Sequence, residues 1–105
     1  MELEVQSIWA DGEPEHGQEE FDVQVNVSIG EVGGRGGEVF QFRVMSPLAL
    51  AKVESGRFVT HTLILESYSV ETIRIRLEKL LHHVSSSKNW NDVIHGFSGL
   101  LRHEP

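Results

Sequence analysis

The sequence contains no cysteine, which excludes disulfides, thiolate-bound metals and thiol nucleophiles. No window approaches the roughly 18 apolar residues of a membrane span. The opening MELEVQSIWADG carries two glutamates and no apolar run of the kind a signal peptide needs. The expectation is a cytoplasmic chain. Basic residues are nearly missing from the first 38 positions. Arg35 stands there against ten acids, a net of 1 − 10 = −9, whereas residues 39–105 hold eight bases and six acids, a net of 8 − 6 = +2. A chain of formal charge −7 repels phosphate backbones, so nucleic acid is not an expected partner. A lopsided acidic surface favours a cationic one.

The acids are concentrated in residues 11–22, DGEPEHGQEEFD, where Asp11, Glu13, Glu15, Glu19, Glu20 and Asp22 occur without a single lysine or arginine. The remaining composition is that of an ordinary folded protein, with 39% hydrophobic and 24% charged residues, unlike a disordered one. At 105 residues the chain forms one domain spanning residues 1–105, long enough to bury a core unaided.

Periodicity divides the chain into seven elements. Leu3 and Val5 alternate as in a strand, and Ile8 and Trp9 break the parity, which places a bulge near Gln6 and Ser7. Phe21, Val23, Val25, Val27 and Ile29 occupy successive odd positions, the pattern of a half-buried strand. Phe40, Phe42 and Val44 repeat it, and GEVGGRGG between them predicts an antiparallel hairpin. In SPLALAKVESG, Ser46 is a cap and Pro47 suits a first helical position, with Gly56 as the stop. FVTHTLILESY predicts a fourth strand covered on both faces. Ser69 then caps a helix with Val70, Ile73, Leu77, Leu80, Leu81 and Val84 on one stripe. Asn89 caps a last helix carrying Trp90, Val93, Ile94, Phe97 and Leu101, which Gly96 and Gly99 tend to end early. The order predicts class α+β: an antiparallel four-stranded sheet, with a short helix and two C-terminal helices packed on one side.

The patterns that carry chemistry fail one by one. The glycine run at 30–37 is followed by a strand, where a phosphate-binding loop leads into a helix. Counted as an EF-hand from Asp11, the acidic stretch puts His16 at the glycine position and is interrupted by Pro14. His16, His61, His82, His83, His95 and His103 form no HExxH or HxH, and neighbouring His82 and His83 diverge by about 100° on a helix. Ser98 lies in FSGLL and not in a GxSxG elbow. Glu66 and Asp22 could meet across strands, but their spacing does not require it. Neither a catalytic centre, a metal nor a cofactor is expected. Ile75 lies opposite the apolar stripe of its helix, beside Lys79 and His82, and makes a candidate second contact patch or homodimer seam.

Order and spacing together carry a resemblance. FDVQVNVSIGEVGGRGGEVFQFRVMSPLAL, THTLILESYSVETIRIRLEKLL and NWNDV resemble the immunity protein 8 family over roughly residues 1–95, and the closing GLLRHEP departs from the aromatic, acidic tail of that family. The resemblance implies a cytoplasmic immunity protein of a bacterial polymorphic-toxin or contact-dependent inhibition system. Such a protein binds a cognate toxin domain and does no chemistry of its own. Where the toxin is a nuclease its substrate surface is basic. The acidic stretch then reads as the toxin-binding loop of a chain expected to be monomeric. The alternative is an adaptor or chaperone-type module for a secreted effector, without inhibitory action.

Overall fold

A computed structural model describes residues 1–53, 55–97 and 99–104; Ser98, discounted above as a nucleophile, lies outside the described residues. Strands β1 (Leu3–Ala10), β2 (Asp22–Glu31) and β3 (Glu38–Met45) form an antiparallel meander. Helix α1 (Pro47–Leu50), strand β4 (Thr62–Ile64), helices α2 (Val70–Val84) and α3 (Trp90–Gly96) and strand β5 (Arg102–Glu104) follow. The class is α+β, as the element order predicts.

Register explains which face is buried. The odd residues of β2 pair with the even residues of β3, so Val23, Val25, Val27 and Ile29 share a face with Phe40, Phe42 and Val44. Ile73, Leu77, Leu81, Val84, Val93 and Phe97 of the helical layer close over that face to form one core. Phe40 meets Phe97 edge-on with ring centroids 5.1 Å apart. The β1 register slips between Val5 and Ser7, where the parity break predicts a bulge. Gln6, left without a strand partner, turns its side chain across the hairpin. It donates to the Gly36 carbonyl at 2.7 Å and accepts from the Ser28 hydroxyl at 2.8 Å. A Cβ on Gly30 or Gly37 would run into this amide, so part of the glycine run makes room for Gln6.

Two details of the sheet differ from the expectation of four antiparallel strands. First, β4 lies parallel to β3, because residues 46–61 are long enough for a crossover, which needs about a dozen residues. Second, β5 pairs antiparallel with β3 and makes the sheet five-stranded and mixed. The two newcomers divide one edge of β3. Arg43–Met45 pair with β4, and Val39–Gln41 with β5. That division also explains why only three residues of the predicted fourth strand extend. His61 interrupts them with a positive φ of 50°, and β3 ends at Met45. Nor is this strand covered on both faces, since Ile64 is 42% exposed.

Both long helices start where their caps predict. The Ser69 hydroxyl accepts from the Thr72 amide at 3.2 Å, and Asn89 Oδ1 from the Asp92 amide at 3.0 Å. No helix among the described residues is long and apolar enough to cross a membrane.

Candidate functional site

The acidic stretch connects β1 to β2 at the end of the sheet where β3 runs into α1. Its six carboxylate residues are all exposed, as a docking loop requires. Its backbone is not free, however. The Gly17 amide donates to the Tyr68 carbonyl at 2.8 Å, and the Tyr68 amide donates to the Gln18 carbonyl at 2.9 Å. Within the loop the Gln18 side chain receives the Glu15 amide at 3.1 Å and donates to the Glu20 carbonyl at 2.8 Å. The far end is clasped by Ser46, the one buried polar residue among the described residues. Its hydroxyl accepts from the Phe21 amide at 3.1 Å, while its own amide donates to the Phe21 carbonyl at 3.0 Å.

Tyr68 connects this frame to the core. It is 2% exposed, packs edge-on against Phe21 with centroids 5.4 Å apart, and directs its phenol to Glu13 Oε1 at 3.5 Å. Burial, reinforced by the negative charge of Glu13, raises the phenol above its ordinary value of 10.0. The Glu71 carboxyl in the first turn of α2 is held below its ordinary range by its own backbone amide, with help from Ser69 and nearby His16.

The six acids therefore differ in kind. Asp22 is the first residue of β2 rather than part of the loop, and Arg43 grips it with two bonds of 2.6 Å. That pairing raises the Arg43 guanidinium further above its usual range and gives Asp22 an arginine, not Glu66, as its partner. Glu20 forms an ion pair with Lys52, just beyond α1. Among the described residues, Asp11, Glu13, Glu15 and Glu19 have no basic partner. Their charge projects into solvent.

Ile75, Lys79 and His82 are exposed together on the outer side of α2, Ile75 by 52%. Of the three, His82 shares a cleft with Glu2, Leu3, Glu4 and Val5 at the β1 edge. Among the described residues no three histidine or acidic side chains converge as metal ligands.

Comparison with known proteins decides the lineage. The family model described as Immunity protein 8 matches residues 4–104. The chain belongs to that family. The match extends past Val93 and Phe97 into β5, so the departing tail GLLRHEP lies within the family's own span. No curated protein and no solved structure matches the chain.

Asp11, Glu13, Glu15, Glu19 and Glu20 lie on the surface loop that acidic density predicts, and Asp22 does not; Gln18, Ser46 and Tyr68, which shape the loop, carry no comparable signal in the sequence. Ser46 is legible only as a cap and Tyr68 only as the end of a strand. Their second roles depend on contacts across 25 and 55 positions, which no local pattern carries.

Proposed function

We propose that the chain is a cytoplasmic immunity protein that neutralises a cognate toxin domain, a nuclease, by covering its basic substrate-binding surface. Membership of the immunity protein 8 family supports the role. The observation that carries the mode of action is the acidic loop itself, with Asp11, Glu13, Glu15 and Glu19 lacking a basic partner among the described residues, on a backbone tied down at Tyr68 and Ser46. Fixed carboxylates mimic the charge of a phosphate backbone without losing loop entropy on binding. They also steer a cationic partner toward the site over a distance of about one Debye length, roughly 8–10 Å at physiological salt. Inhibition then requires no catalysis, cofactor or metal, only occupancy of the surface that nucleic acid would use.

The test is co-expression with the toxin domain encoded directly upstream of this chain's gene. Growth should be rescued and the two proteins should co-purify. A toxin that kills equally well in the presence of this chain would refute the proposal.

A further inference from the structure

One face of the sheet is left uncovered by the helices, and its composition differs from that of a merely solvated face. Trp9, Asn26, Gln41 and Arg102 stand in one row across four strands. Gln24, Arg43 and Thr62 form the next row. Neither row contains a lysine or a glutamate. Their side chains are already ordered. Gln41 Nε2 donates to Asn26 Oδ1 at 3.1 Å, Arg102 donates to Gln41 Oε1, and Arg43 is fixed on Asp22. A cleft of about 270 Å³ opens between the rows, with Thr60 and His61 on its wall. Exposed apolar residues extend the rows on either side: Trp9, 44% exposed, on β1, and Ile64, 42% exposed, on β4.

Single exposed apolar residues are ordinary. Here two of them border one ordered polar centre. Tryptophan and arginine enriched, lysine and glutamate depleted, is the composition of a protein-binding centre. Side chains held in place beforehand also lose little rotamer freedom when a partner arrives.

We infer that the open sheet face is the docking surface for the toxin domain, with Trp9 and Ile64 as apolar anchors around the Gln41–Arg43–Arg102 centre. This inference rests on the immunity reading above and specifies its surface. Charge selects the occupant. The acidic loop borders this face at one end, where Asp22 is bound to Arg43 and Glu20 holds α1 through Lys52. Glu13 lies beside Tyr68 and the first turn of α2, while Asp22 lies on the open face beside Arg43, so a partner whose cationic rim spans the acidic stretch reaches the end of the sheet.

The absence of cysteine makes a labelling experiment direct. Gln24→Cys places a single thiol at the centre of the open face, and Ile75→Cys places one on the helical side. Each is coupled to a bulky maleimide and mixed with a catalytically inactive form of the upstream-encoded toxin domain. The label at 24 should block the complex and the label at 75 should leave it intact. In parallel, Trp9→Ala should raise Kd about tenfold or more, mainly through faster dissociation, at an unchanged unfolding midpoint. If the label at 75 blocks and the label at 24 does not, the interface is on α2 and the inference is wrong. Slower association from charge reversal in the acidic loop, with silent probes at 9 and 24, would overturn this inference and leave the immunity reading standing. Failure of the parent chain to bind at all would overturn both.

Discussion

Ser46 and Phe21 bind each other three times: the Phe21 amide donates to the Ser46 hydroxyl, and the Ser46 amide and hydroxyl both donate to the Phe21 carbonyl; the same hydroxyl oxygen also accepts the Ala49 amide at 3.1 Å. One buried oxygen therefore caps α1 and closes the acidic loop. Ser46→Ala removes both contacts and leaves the Phe21 amide buried without a partner. The expected cost is about 1–3 kcal/mol, measured as a shift of the urea midpoint at constant slope. Loss of only a few tenths would show that water replaces the hydroxyl.

Tyr68 is the sole tyrosine, so ultraviolet titration of the phenolate reports this one site. Its midpoint should lie above the ordinary value of 10.0, because burial and then the Glu13 carboxylate both oppose ionisation. Glu13→Gln should lower the midpoint without restoring it fully. The linkage sign follows. A raised folded value means that its contribution to stability is complete below pH 10 and is lost as pH rises through the folded value. Tyr68→Phe should flatten that alkaline decline. A midpoint at or below 10 would mean that the loop is not seated on the ring.

Reversing Glu13, Glu15 and Glu19 to lysine should slow toxin association by about 10- to 10³-fold at low salt, with the difference fading as salt is added. Glu15 and Glu19 have no basic partner among the described residues, so the unfolding midpoint should fall only by what the Tyr68–Glu13 hydrogen bond contributes, about 1 kcal/mol. Stopped-flow association across a salt series measures both the size and the screening. Equal rates at low salt would remove the loop from the encounter.

Ile75 is 52% exposed on α2, where the helical periodicity places it. Ile75→Asp should change stability by no more than about 0.5 kcal/mol, read from chemical denaturation. A loss of several kcal/mol would make it a core residue. Normal folding with weakened toxin binding or a lost dimer would make Ile75, Lys79 and His82 an interface and would count against the open sheet face.

The parts of the fold legible in the sequence are those with strong local periodicity. Alternation in β2 and β3, the caps Ser69 and Asn89, and the parity break at Gln6 each record a nearby geometric demand. The short strands are a different matter. Arg102–Glu104 has too few residues to show alternation, and the extent of β4 is set by β5 competing for the same edge. The candidate site was half legible. Acidic density marks the loop, because charge can be read without coordinates. The open face is hidden in sequence, since Asn26, Gln41 and Arg102 read as solvent-facing polar residues until register aligns them with Trp9.

The shared edge of β3 also shapes how the molecule comes apart. Along its β2 side β3 is sealed by one long ladder, whereas its other side is closed by two three-residue patches distant in the chain. Each patch can detach while the helices remain docked on the opposite face, so opening along this side is local and does not require global unfolding. Hydrogen exchange should then separate the bonds of one strand into two classes. Those toward β2 are released only with the whole domain. Those toward β4 and β5 are released earlier, and independently of each other.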